Sequence, residues 1–284
     1  MGLVMRRLVV AVALIGIATG ALAADYETDF PTLRGSTPYI PAPPRHLNWE
    51  GVYGGGQVGY GMTHMDFSKV VITPFDPNDA FTAPLRSSWP SLGTDNARAP
   101  SYGAFIGYNW QFDELIVGFE ANYSHTKLFG SATGTKCYNT PAVIGCNPAI
   151  TLGDGNSYNA VVTTTASMRI TDYGTARLRA GWVNDNWLPY AMVGLAVGRV
   201  EISKYATATG TPVSPPGTGT PFTSTEGIVN SPMLAWGYSA GVGVDYMLFS
   251  NVFLRAEYEF VSFFLVSDVR SQIHSGHVGV GVKF

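Results

Sequence analysis

His277-Val278-Gly279-Val280-Gly281-Val282-Lys283-Phe284 is the stretch that decides the fold. Successive side chains of a strand point to opposite faces, so Val278, Val280, Val282 and Phe284 share one side. His277, Gly279, Gly281 and Lys283 share the other. Trp236 to Tyr246 repeats the pattern, with Trp236, Tyr238, Ala240, Val242, Val244 and Tyr246 opposite Gly237, Ser239, Gly241, Gly243 and Asp245. Between them, Leu254, Ala256, Tyr258 and Phe260 alternate with Arg255, Glu257 and Glu259. One face is apolar and aromatic in all three segments, and the other carries glycine, serine and charge.

Five further segments follow the same rule: 49–61, 101–111, 115–124, 172–183 and 187–203. Together they predict an all-β chain of eight antiparallel strands, each long enough to cross a bilayer at a tilt. The connections alternate in length. Those at 112–114, 184–186 and 248–251 are tight turns, whereas 62–100, 125–171, 204–232 and the shorter 263–272 are long. All long connections therefore lie at one end, the arrangement of a transmembrane up-and-down barrel with short periplasmic turns and long extracellular loops. Trp110, Trp182, Trp187 and Phe284 fall on outer faces near the short turns. Tyr60, Tyr102, Tyr123, Trp236 and Phe260 fall on outer faces near the long loops, giving the two aromatic girdles such a barrel needs. The competing fold is a soluble lipocalin-like barrel with its apolar face inward. The alternate face here reads as too small and too polar to form a solid apolar core.

The beginning of the chain is of another kind. Arg6 and Arg7 precede an apolar run, and Ala21-Leu22-Ala23 gives the small-x-small pattern of a cleaved signal peptide over residues 1–23. Residues 24–48 form a Pro-rich periplasmic leader, with the barrel over 49–284. Cleavage removes two of the 17 basic residues against 20 acidic ones, leaving a formal charge of −5. That balance argues against nucleic acid as a partner. Charged residues make up only 13% of the chain, about half the usual share, and glycines number 33, which suits a face turned to lipid. Cys137 and Cys146 read as one local disulfide in an exported chain; a metal pair is the rival, with no His or further Cys nearby to complete it.

By parity the lumen receives Glu120, Asp245, Glu257 and Glu259 together with Arg177, Arg179, Arg255 and Lys283. Four acids against four bases suggest a network that fills the lumen, since buried charges need partners. Eight strands leave room for side chains but not for a wide channel. A small porin is the alternative, although a selective pore would favour a ring of one sign. Gly54 to Gly59 matches G-x-G-x-x-G, and Gly237 to Gly241 matches G-x-S-x-G, but neither stands at the strand-to-helix turn its chemistry requires. His274-Ser275 is the pair that a lipid-modifying enzyme would place at the rim, without an evident third group to activate it. No cofactor and no metal site is expected. The long connections, such as Thr207 to Thr225, read as mobile and solvated.

Trp49-Glu50-Gly51-Val52-Tyr53-Gly54-Gly55-Gly56-Gln57-Val58-Gly59-Tyr60-Gly61, after a Pro-rich leader, resembles the opening strand of the outer-membrane immunogenic proteins of alphaproteobacteria, an opacity-like, OmpA-like group of eight-stranded barrels. Gly107 to Phe112 with Val117 to Glu120 resembles that family's second hairpin. Arg177 to Trp182, Leu188-Pro189-Tyr190 and Val244-Asp245-Tyr246 resemble later strands, and Phe284 resembles its terminal assembly signal. The resemblance implies a surface antigen without enzymatic activity, supporting envelope integrity and contact with a host or the environment. Its implied partners are outer-membrane lipid and lipopolysaccharide, the outer-membrane assembly machinery, and surface ligands met through the loops.

Overall fold

In the computed structural model, residues 48–70, 84, 90–139, 145–213, 219–229 and 232–284 are described. The signal peptide, including Ala21 and Ala23, and nearly all of the leader lie outside them. The strands are β1 (Gly51–Asp66), β2 (Thr94–Phe112), β3 (Leu115–Tyr138), β4 (Ile150–Thr151), β5 (Ser157–Trp182), β6 (Trp187–Pro212), β7 (Phe222–Val229), β8 (Met233–Met247), β9 (Val252–Val266) and β10 (Val269–Lys283).

Eight of these close a ring. Neighbours in chain order pair antiparallel, β5 pairs β6, and β1 pairs β10 from Tyr53↔Lys283 to Asp66↔Arg270. Closure gives each of the eight ring strands a hydrogen-bonded neighbour on both sides over the segment that crosses the bilayer, the condition for a sheet in hydrocarbon. The remaining two, β4 and β7, lie beyond the ring and pair with the far ends of β5 and β6.

The expected eight strands are thus present, but three run much further than their alternation suggested. The segments 125–171 and 204–232, expected as solvated loops, are in large part the extensions of β3, β5 and β6 together with β4 and β7. Threonine is the reason. Its β-branched side chain favours a pleated backbone, and cross-strand hydroxyl pairs form at Thr133–Thr165 (3.1 Å), Thr135–Thr163 (3.4 Å) and Thr207–Thr225 (3.1 Å). The connection expected over 263–272 is also corrected: Ser267 and Asp268, at φ 46° and 68°, make a two-residue turn between β9 and β10. Positive φ at both central residues is the turn geometry that matches strand twist.

The extension carries its own small core of Leu152, Tyr158, Val162 and Ala208, with Ile150 and Phe222 against it. Cys137 and Cys146 are bonded at its edge. Beside it the Asp154 carboxyl accepts hydrogen bonds from Asn156 and Tyr158, which hold it below the usual carboxylate range.

Candidate functional site

The outward face is apolar. Val58, Ile106, Leu178, Val193, Val242 and Val280 are exposed, each with its chain neighbours turned toward the interior. Trp110, Trp182, Trp187 and Phe284 are exposed at the short-turn end, and Tyr60, Tyr102, Tyr123 and Trp236 at the other, with Phe260 half-buried among them. On β2, Trp110 and Tyr102 stand eight residues apart, which at the strand rise and tilt of barrels is roughly 20 Å of apolar height.

The interior is packed in three layers. At the short-turn end an aromatic and aliphatic floor contains Trp49, Tyr53, Phe105, Ile116, Tyr190 and Phe253. Above it lies the charged layer. At the opposite end Met65, Leu128, Met168, Ile170, Phe263 and Ile273 belong to a larger apolar cluster. The sequence reading of a lumen too polar for an apolar core is therefore corrected: apolar clusters stand at both ends, with the charged layer between them. Glycine makes room for the floor. At the seam, a side chain on Gly281 would lie 2.2 Å from the Phe253 ring, and one on Gly55 2.6 Å from Phe105.

Seven of the eight expected lumen charges meet. Arg177 reaches Glu257 Oε1 at 2.7 Å, Glu259 Oε1 at 2.9 Å, and Glu120. Arg255 Nη1 lies 2.7 Å from Glu120 Oε2, and its Nε lies 2.9 Å from Asp245 Oδ1. Arg179 reaches Asp245 Oδ2 at 2.8 Å and stacks 3.8 Å from the Tyr190 ring. All seven are nearly inaccessible to water. Lys283 does not join them. Its Nζ donates to the Glu50 carbonyl at 3.1 Å, because the strand's last residues lie past the floor at the barrel mouth. The network is therefore four carboxylates against three guanidinium groups.

Sequence parity missed the neutral members. Tyr53 donates to Glu120 Oε2 at 2.8 Å and Tyr190 to Glu257 Oε2 at 3.0 Å. His277 is buried with both ring nitrogens unpartnered among the described residues, as is Glu259 Oε2. Glu257, Glu259 and His277 bring donor atoms within 4.8 Å of one another, the one such set among the described residues. Alternation had already placed His277 on the glycine face, so the signal was there.

The remaining motifs resolve simply. Gly54 to Gly59 lies inside β1, and Ser239 is buried in mid-β8. His274 Nδ1 is 2.7 Å from the Tyr258 hydroxyl on the outer face, whereas Ser275 turns inward and donates to the Glu259 carbonyl at 3.3 Å. The two face opposite ways and cannot act as a dyad.

A closed ring, apolar outside and filled with paired charges inside, defines a β-barrel built for a bilayer. The chain belongs to the outer membrane protein beta-barrel domain family, whose profile matches residues 9–284. It is 22% identical over 276 residues to the 25 kDa outer-membrane immunogenic protein of Brucella ovis, covering 97% of this chain and 96% of that one. Among solved structures it is similar to Neisserial surface protein A, at 15% identity and TM-score 0.35 over 82% of this chain and 97% of that one. It is also similar to Ail, the attachment invasion locus protein of Yersinia pestis, at 12% identity and TM-score 0.30 over 83% and 99%.

Proposed function

We propose that this chain is exported with removal of residues 1–23 and serves as a closed, non-enzymatic surface barrel. In this reading it supports envelope integrity and presents its extracellular sheet to a host or the environment. Phe284 is the assembly signal, and outer-membrane lipid and lipopolysaccharide surround the girdles. The immunogenic name of the Brucella relative agrees with surface display.

The observation that carries the proposal is the sealed lumen, where the Arg177, Arg179 and Arg255 network is capped by apolar layers at both ends. A small porin needs a continuous water path, and it would have to pass between side chains that are nearly inaccessible to water in all three layers. Reconstitution in planar bilayers tests the reading. The expected result is a bare-membrane baseline at roughly 0.1 M and at roughly 1 M KCl alike, concentrations at which the screening length is about 10 and 3 Å. Reproducible single-channel steps would favour the porin.

A further inference from the structure

We propose that Arg98, Lys127 and Tyr102 form a binding site for the phosphorylated headgroup of an outer-leaflet glycolipid. The inference rests on the surface-barrel reading above, which puts this end of the barrel outside the cell. A pocket of about 490 Å³ opens on the outer wall between β2 and β3, lined by Arg98, Pro100, Tyr102, His125 and Lys127 among others. Arg98 and Lys127 are both exposed, and neither has an ion-pair partner among the described residues.

Among the described residues, the nearby acids are already engaged or face elsewhere. Asp172 accepts from the Tyr123 hydroxyl at 2.6 Å and lies 2.7 Å from His125 Nδ1. Asp95 shares the inward parity of Ala97 and Ala99 and accepts the Ser131 amide at 2.8 Å. Arg169, on the adjacent strand, lies over the Phe129 ring and opposite Glu201. Among the described residues, two cations thus remain without counter-charge on one wall.

Their height selects the occupant. Arg98 stands four residues beyond the girdle residue Tyr102, and Lys127 four beyond Tyr123, all on the outward face. At about 3.4 Å per residue and a tilt near 40° that is roughly 10 Å above the girdle rings. Long basic side chains there reach back to the headgroup phosphates. The exposed Tyr102 ring, backed by His125 at 5.1 Å between centroids, offers a flat floor for a sugar. Arginine supplies a fork for phosphate oxygens, and lysine a point charge.

The test uses the full chain folded in glycolipid-free nanodiscs, titrated with lipid A and with the same lipid A stripped of phosphate. Two surface cations at about fivefold each predict roughly 25-fold weaker binding of phosphorylated lipid A by R98A/K127A. Lys136→Ala, further out on β3, should leave binding unchanged, and the stripped lipid should bind both proteins equally weakly. Equal binding of phosphorylated lipid A by wild type and R98A/K127A would overturn the site. So would a loss that ignores the phosphate, or inorganic phosphate competing at concentrations matching the lipid. Folding of each variant is checked by heat-shifted electrophoretic mobility. Ser131→Cys, labelled on whole cells by an impermeant thiol reagent, tests the orientation separately. Absent labelling sinks the surface-barrel reading, whereas labelling with unchanged binding sinks only the lipid site.

Discussion

Arg177 and Glu259 touch each other, yet their removal should have very different consequences. Arg177 is the cation shared by Glu120, Glu257 and Glu259, so Arg177→Met strands carboxylates in a dry interior. Removing one partner of a buried pair typically costs about 3–5 kcal/mol. Glu259→Gln instead removes charge from the side in excess, and the amide oxygen can still accept from Thr175, now 3.1 Å from Oε1. Its expected cost is under about 1 kcal/mol, in line with loss of one neutral-strength hydrogen bond. Urea unfolding from lipid vesicles, followed by tryptophan fluorescence, checks the ordering. Equal destabilisation would mean the acid excess has no energetic weight. At this scale the sequence was highly legible, because strict alternation assigns a face to every residue. It failed at Lys283, where parity is right but depth is wrong. It was silent on Tyr53 and Tyr190, because alternation assigns a face and not the hydrogen bonds that form across the lumen.

Elements were legible in their bilayer segments and much less so beyond them. Alternation marks a strand only while its faces meet different solvents. Past the girdles, Thr and Ser occupy the outer face and Ala, Gly and Val the inner one, so contrast fades although β3 continues to Tyr138 and β6 to Pro212. Threonine density was the usable signal, and it reads equally as loop composition. Two predictions belong here. The Cys137–Cys146 bond closes a loop of sequence separation 9, for which chain-entropy reasoning gives about 2–3 kcal/mol. Since Cys137 lies at the far end of β3, beyond the ring, C137S/C146S should speed hydrogen exchange in β4 and the far ends of β3 and β5 while leaving the barrel's unfolding midpoint in place. A matching fall in the midpoint would show that extension and barrel unfold as one unit. Gly281→Ala acts at the seam instead. Its added methyl meets the Phe253 ring, buried at 2% exposure, with little freedom to move. Overpacking of this kind costs typically 1–3 kcal/mol, here read as a lower unfolding midpoint for the whole barrel.

The three layers of the lumen depend on one another when the molecule is taken whole. Seven charges in a narrow interior remain strongly coupled only while water and salt are kept out, because ions screen exposed pairs over about 10 Å at 0.1 M and 3 Å at 1 M. The floor around Tyr53, Phe105 and Phe253 blocks one end, and the cluster around Leu128, Ile170 and Phe263 blocks the other. The salt dependence of stability therefore reports on the seal without any assay of transport. With the seal intact, raising NaCl from 0.1 to 1 M should barely move the urea midpoint. Trimming the outer cap with Phe263→Ala admits water near Glu259 and should make the midpoint fall with salt, in addition to the roughly 3–5 kcal/mol lost by truncating a buried phenylalanine. The two effects separate because the truncation cost is present at every salt concentration, whereas the screening slope appears only once ions enter. A wild-type midpoint already falling steeply with salt would mean that ions reach Arg177 in the native barrel, and the closed reading would then give way to the porin.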